Sequence, residues 1–332
     1  MEQNCFNAGI IGLGSFLPEK VLTNADLEKM VQTSDEWIVQ RTGMSKRRII
    51  DDNMPAYMMG VEASKKAIEN AGLSSEDIDL VLTTTFAPDY YSPATACNIQ
   101  KEIGAKRAAA FDINAACTGF VYGMVVAEQF IKTGFYKNIL LVSCEANSRV
   151  VDWEDRNTCI LFGDGAGAAV LTGVDSEFGL KTSAIYSDGE GGDVITVPST
   201  YLKGEGRRVT EGENARVINL DGSEVMKFAV RSLVSSVNVV LDNEGLTVGD
   251  IDCLIPHQAN IRIIEGAIKR LKINEDKVFK NIGKYGNMSS ASIPVALNEA
   301  VEEGKIKHGD NVVLVGFGGG LTWGANLIKW GK

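Results

Sequence analysis

Phe111-Asp112-Ile113-Asn114-Ala115-Ala116-Cys117-Thr118-Gly119-Phe120 decides the fold of this chain. The apolar run from Ala108 to Ile113 reads as a buried strand, and the apolar-periodic segment from Gly119 to Ile131 reads as a helix. Cys117 therefore falls where a strand turns into a helix. The unpaired N–H groups and positive dipole end of that helix favour a thiolate there. Ala115, Ala116 and Gly119 let a substrate carbonyl come close, the geometry of a nucleophile on a strand-to-helix turn. A lone cysteine is more often a buried, inert one, so the reading depends on the rest of the chain.

The 332 residues are 45% hydrophobic and 23% charged, the balance of a globular protein with a sizeable core. A net charge of −10 argues against nucleic acid as a main partner. The six cysteines show no metal-finger spacing, and a disulfide framework is not expected in a chain this long, which points to a reducing cytoplasm. The start lacks the basic and apolar regions of a signal peptide, and no apolar run reaches the ~20 residues of a membrane span. His257 and His308 are the only histidines, which excludes a multi-histidine metal site.

Two glycine patterns are set aside. Gly12-x-Gly14 is followed by Pro18 where a phosphate-binding helix would run, and Phe162-Gly-Asp-Gly-Ala-Gly-Ala runs into a strand. Thr33-Ser34-Asp35 caps a short helix that carries Trp37 and Arg41 on one face, and Gly43 ends it. An arginine one turn from a tryptophan suggests a purine or phosphate site. Residues 173–220 read as a polar connector with hairpins.

The two halves, 1–172 and 173–332, resemble each other. Asn70-x-Gly72-Leu73 through Asp77-Ile78-Asp79 parallels Asn243-x-Gly245-Leu246 through Asp250-Ile251-Asp252, and Ile139–Ser143 parallels Val312–Gly316, both 173 residues apart. Gly134 and Gly304 match 170 apart, which sets Cys117 against Asn287, while Thr84 falls on His257. A repeat this long is a duplicated βα domain. Its polar residues lie at strand C-termini and helix N-termini, where layered α/β folds bind ligands. Packing the halves together brings Cys117, His257 and Asn287 to one site. A thiolate with two neutral donors suits acyl transfer: Cys117 attacks a thioester, and His257 and Asn287 hold an enolate oxygen. Gly318–Gly320 can present backbone N–H groups as an oxyanion hole.

Asp112-x-x-Ala-Ala-Cys117-x-Gly-Phe, Phe162-Gly-Asp-Gly-Ala-Gly-Ala, Pro256-His257-Gln-Ala-Asn260, Tyr285-Gly-Asn287 with Ser292-Ile-Pro, and Phe317-Gly-Gly-Gly-x-Thr-Trp323 together resemble the β-ketoacyl-(acyl carrier protein) synthase III family. The resemblance spans essentially the whole chain. It implies a five-layer αβαβα thiolase-type fold, a homodimer, and a Cys117-His257-Asn287 site. It also implies transfer of a short acyl group from coenzyme A to Cys117, then decarboxylative condensation with malonyl acyl carrier protein (ACP). The tetrahedral oxyanion would rest on the N–H groups of Cys117 and Gly319. Trp37, Arg41 and Arg156 match the adenine-holding residues, Asn260 a coenzyme A contact, and Phe317 a residue near the nucleophile. Lys227 matches an ACP-docking position, and Arg262, Lys269 and Arg270 share one side of a helix suited to the same acidic partner. No metal or resident cofactor is implied. Two positions depart from the pattern. Met288 follows Asn287 where many relatives have Thr. Ser92 stands where many have a Phe that closes the acyl pocket across the dimer, leaving room for a longer or branched primer. The alternatives are a secondary-metabolite condensing enzyme with the same triad, a non-catalytic coenzyme A or ACP binding module, and a cysteine hydrolase. An elongating ketosynthase would need a second site histidine, and a thiolase a second site cysteine.

Overall fold

Two mixed sheets carry the architecture. The computed structural model describes residues 6–198 and 217–332. The first sheet holds β1 (Asn7–Phe16), β2 (Leu80–Thr84), β3 (Ala109–Ile113), β4 (Ile139–Ala146) and β5 (Asp164–Val174) in the order β1-β5-β4-β2-β3. The second holds β6 (Gly179–Ser187), β7 (Cys253–Pro256), β8 (Asn311–Gly318) and β9 (Thr322–Lys329) in the order β7-β8-β9-β6. Strands β2, β3 and β4 are mutually parallel, as are β7 and β8, and the remaining pairings are antiparallel. Helices α1 (Asp35–Thr42), α2 (Ala56–Asn70), α3 (Thr95–Ile103), α4 (Gly119–Lys132), α5 (Gly222–Asn243), α6 (Ile261–Leu271) and α7 (Ser292–Glu302) complete the frame.

The layers follow from which faces are apolar. Helices α2 and α3 cover the outer face of the first sheet, burying Met59, Val61, Ala63 and Ile99 against Val81, Leu140 and Val142. Helices α5 and α6 cover the second sheet in the same way, with Leu233, Val237, Ile264 and Ala267 against Val313 and Leu327. Between the sheets lie α4 and α7, whose Phe120, Met124, Ile293 and Leu297 join the largest core. This is the αβαβα arrangement. The central helices approach the strands closely. A Cβ on Gly123 would lie 2.5 Å from Leu141, and one on Gly167 of β5 2.7 Å from Pro294.

Matching elements recur with their hydrogen bonds. The turns Ser75–Asp77 and Val248–Asp250 carry capping boxes from Ser74 and Thr247. Asn138 Nδ2 donates to Asp77 O, and Asn311 Nδ2 to Asp250 O, both at 2.9 Å.

The sequence-based pairing of the nucleophile changes. The turns Ala116–Thr118 and Ser289–Ala291 lead into α4 and α7, and each opens on a residue in the left-handed region, Ala116 (φ 45°) and Ser289 (φ 50°). Cys117 therefore corresponds to Ser290, and Asn287 to Asn114. The three-residue difference lies inside the helices, since α4 has 14 residues and α7 has 11. Both asparagines make the same bond: Asn114 Oδ1 accepts from Ala116 N at 3.2 Å, and Asn287 Oδ1 from Ser289 N at 2.8 Å.

Two further expectations are corrected. Strand β3 is the free edge of the first sheet and is only part-buried. Phe111 is 37% exposed, its ring 6.4 Å from that of Phe130. Residues 173–220 are not merely a connector: Gly179–Ser187 forms a nine-residue strand paired to β9. Polar Lys181, Thr182 and Ser183 disguise it, as they do many edge strands. Residues 199–216 of that stretch lie outside the described residues.

Candidate active site

Cys117 lies on the short turn between β3 and α4, half-buried, one residue after the strained Ala116. The strand end of β8 presses against it. A Cβ on Gly318 would lie 2.7 Å from Cys117 N and 3.2 Å from its Cβ, so this position has room only for glycine as the backbones stand. Beneath it, Gly119 leaves no space for a side chain between Thr84 and Ser290. Asp112, part of the quoted motif, faces elsewhere: its carboxylate accepts from Thr95 and Ala96 N–H at 2.7 and 2.8 Å and caps α3.

His257 follows the last residue of β7, and its N–H donates to Val315 O at 2.8 Å. The ring is 1% exposed and meets Phe317 edge to face, centroids 5.4 Å apart. Neither ring nitrogen has a partner among the described residues. Burial pushes the imidazole down to about 3, so it is neutral near pH 7. A neutral ring with both nitrogens unpaired in a cavity wall is a costly feature, and ligand contact would relieve it.

Asn287 is held through its backbone. Its N–H donates to Leu161 O at 2.9 Å, and its carbonyl accepts from Gly163 N at 3.0 Å and from Asn147 Nδ2 at 3.2 Å. With Oδ1 taken by Ser289 N, the group left to offer a ligand is the Nδ2–H donor. The glycine-rich entry to β5 makes this docking possible, because Cβ atoms on Gly163 and Gly165 would run into Tyr285 O and the Met288 sulfur at 2.4 and 2.7 Å. Met288 itself is fully buried with Tyr285, Ala291 and Val295, so it supports the turn by packing.

Cys117, His257 and Asn287 line one cavity of about 490 Å3, together with Asn260, Phe317 and Gly318–Gly320. Its walls are largely apolar: Phe86, Leu161, Phe162, Ile195, Val197, Ile218 and Leu220. The expectation of a depressed thiol pKa is not met. Burial pushes the Cys117 thiol up to about 12; a hydrogen bond with the Ser289 side chain lowers it, and the Glu145 carboxylate raises it. The resting pair is thus a neutral thiol and a neutral imidazole.

The other predicted residues fall in three places. Arg41 and Arg156 each set a guanidinium carbon 4.8 Å from the centre of the Trp37 ring. Ser34 caps that helix and Gly43 (φ 76°) ends it against Ile261, beside the cavity residues Asn260 and Ile263. Asn260 Oδ1 caps α6 by accepting from Arg262 N at 2.9 Å. Arg262, Lys269 and Arg270 are exposed on α6, and Lys227 is exposed on α5 and paired with Glu224 at 2.8 Å. Ser92 is exposed and outside the cavity lining of its own chain. Phe86, Asn147 and Glu145 were not anticipated.

Two family profiles match the chain. The one described as 3-oxoacyl-[acyl-carrier-protein (ACP)] synthase III covers residues 111–189, and its C-terminal counterpart covers 241–330. A β-ketoacyl-[acyl-carrier-protein] synthase III of Desulfitobacterium hafniense is 51% identical over 98% of both chains. The chain belongs to the β-ketoacyl-(acyl carrier protein) synthase III family. A Bacillus cereus member, β-ketoacyl-[acyl-carrier-protein] synthase III 1, is 52% identical over 98% of this chain and 100% of its own. The crystal structure of the Aquifex aeolicus 3-oxoacyl-[acyl-carrier-protein] synthase III superposes with a TM-score of 0.91 at 44% identity, over 97% of this chain and 100% of that one. The fold is accordingly the thiolase type and the chain a condensing acyltransferase. Among the described residues no helix is long and apolar enough to cross a membrane, and no cluster of three metal-ligating side chains occurs.

Proposed function

We propose that this chain primes type II fatty acid synthesis by condensing a short acyl-coenzyme A with malonyl-ACP to give 3-ketoacyl-ACP. One observation carries the reading: Cys117, His257 and Asn287 line a single cavity, where the His257 ring nitrogens are unpartnered among the described residues and the Asn287 oxygen is already taken by Ser289 N–H. Cys117 Sγ attacks the acyl thioester, the oxyanion rests on the N–H groups of Cys117 and Gly319, and coenzyme A leaves. Malonyl-ACP then enters and loses carbon dioxide. The thioester oxygen gains charge as the enolate forms, and Nε2–H of neutral His257 and Nδ2–H of Asn287 stabilise it there. Preorganised donors of this kind are worth roughly a hundredfold or more each. The enolate carbon attacks the acyl-cysteine and frees Cys117.

Trp37 with Arg41 and Arg156 forms the adenine wall, with Asn260 at the cavity mouth and Phe317 shielding the nucleophile. Arg262, Lys269, Arg270 and Lys227 receive the acidic ACP. The working unit is a cytoplasmic homodimer without metal or resident cofactor, and the exposed β3 edge with Phe111 supports pairing of two copies. In that dimer Ser92 meets the partner's acyl pocket. The chain divides into halves 1–172 and 173–332, a division supported by the repeated Asn138 and Asn311 bonds. A second reading is a priming condensation in another pathway. It is favoured by the priming β-ketosynthase of the R1128 polyketide pathway, whose structure matches at 32% identity and TM-score 0.91 over 98% of this chain and 97% of that one.

The test is intact mass after incubation with acetyl-, branched five-carbon and octanoyl-coenzyme A, followed by malonyl-ACP. Adducts on the wild type, absent from Cys117→Ala and discharged to 3-ketoacyl-ACP, are expected. No adduct from any thioester refutes the priming role.

A further inference from the structure

The thiol of Cys117 must lose its proton as the sulfur bonds to the acyl carbon, and neither it nor the neighbouring imidazole titrates near neutrality. Below the nucleophile the structure holds a group that does. Glu145 occupies the penultimate position of β4 and is fully buried. Four donors converge on its carboxylate. Ser289 Oγ and Ser290 Oγ reach Oε1 at 3.1 and 2.6 Å, and Thr85 Oγ1 and Phe86 N–H reach Oε2 at 3.0 and 3.3 Å. The Ser289 side chain also acts on the Cys117 thiol, lowering its pKa, so the same hydroxyl that donates to the carboxylate adjoins the nucleophile. Ser290 has an alternative acceptor, Thr84 O at 3.2 Å, and can release Oε1 when a proton arrives.

We propose that Glu145 accepts the Cys117 proton during self-acylation, with the Ser289 hydroxyl carrying it between them. The inference rests on the acyl-cysteine reading above. The thiol proton passes to Ser289 Oγ as the Ser289 proton passes to Glu145 Oε1, and Sγ forms its bond to the acyl carbonyl carbon. When the tetrahedral intermediate collapses, the carbon–sulfur bond to coenzyme A breaks. The proton returns along the same hydroxyl to the departing sulfur, which leaves as the thiol. No proton is gained or lost overall.

Burial, against four donors, pushes the Glu145 carboxyl up to about 7. The titratable groups around it are Cys117 and Cys144, both pushed up by burial, and Asp164 on β5, also raised by burial and lowered by Ser148 and Arg149. Acceptance requires the ionised form, so the acylation rate rises with pH through about 7 and levels above it.

The experiment measures the rate of Cys117 acylation by acetyl-pantetheine, a thioester without titrating phosphates, by quenched-flow intact mass from pH 5.5 to 9. Wild type is expected to show the rise near pH 7. Glu145→Gln is expected to lose it and to acylate on the order of a hundredfold more slowly. Ser289→Ala, which keeps the carboxylate, is expected to lose it as well. A Glu145→Gln or Ser289→Ala enzyme that keeps the rise overturns the proposal, even if it is slow, because a merely structural carboxylate would leave the pH profile in place. If Glu145→Gln does not fold, Ser289→Ala alone decides. Absence of any adduct on wild type refutes the acyl-cysteine reading instead.

Discussion

Replacing Gly318 by alanine tests whether the backbone contact between β8 and the nucleophile turn sets catalytic geometry. The added methyl would meet Cys117 N at 2.7 Å, where two such atoms rest at about 3.5 Å, so strand or turn must yield by about 0.8 Å. The obstacle is backbone, which cannot swing aside as a side chain can. Overpacking of this kind costs about 1–3 kcal/mol of stability. The larger effect falls on chemistry. The Cys117 N–H is one proposed oxyanion donor, and misplacing a reacting group by about 1 Å costs on the order of a hundredfold. The assay pairs the Cys117 acylation rate from acetyl-coenzyme A with a denaturant midpoint for Gly318→Ala. A folded variant, weakened by about 1–3 kcal/mol, should acylate roughly ten- to a hundredfold more slowly. Wild-type acylation in a folded variant would show that the turn has slack and that the contact does not position Cys117.

Trp37→Ala removes the ring between Arg41 and Arg156; KM for acyl-coenzyme A should rise up to about tenfold, while the same acyl group on pantetheine reacts unchanged. Reversing Lys269 and Arg270 to glutamate should raise KM for malonyl-ACP and flatten its salt dependence, leaving acylation by acyl-coenzyme A intact. Glu145 also links stability to pH. Its folded pKa of about 7 lies above the ordinary 4.5, so the folded state binds the extra proton between those values and stability falls as pH rises through that window. The shift corresponds to a loss on the order of 3 kcal/mol. Denaturant midpoints should therefore show Glu145→Gln gaining on wild type from pH 5 to 8, and a constant difference would refute the linkage.

The elements were legible where the chain punctuates itself. Gly43, Gly72 and Gly104 end helices in the left-handed region, and the Cys117, His257 and Asn287 signals sit beside small residues or prolines, after a strand or before a helix. Strand β3 misled because an edge strand that carries Phe111 has the composition of a buried one, and β6 because polar residues mask its alternation. Asn114, not Cys117, is the true counterpart of Asn287, since a gap inside a helix leaves no mark in the sequence. Glu145 and Asn147 were illegible for another reason. A carboxylate or amide at a strand end looks exposed until the partners that enclose it are known, and Thr85, Gly163, Ser289 and Ser290 come from distant stretches.

The bonds that fix Asn287 reach back to Leu161 and Gly163, and the glycine that shapes the Cys117 turn is Gly318. These are contacts of long sequence separation, and chains form such contacts slowly because loops must close first. Helices such as α2 and α5 depend on near neighbours along the chain and can gather early. During refolding, far-ultraviolet circular dichroism should therefore recover well before the capacity to become acylated. The thioester reaction then serves as a clock for the final closure of the two sheets on each other.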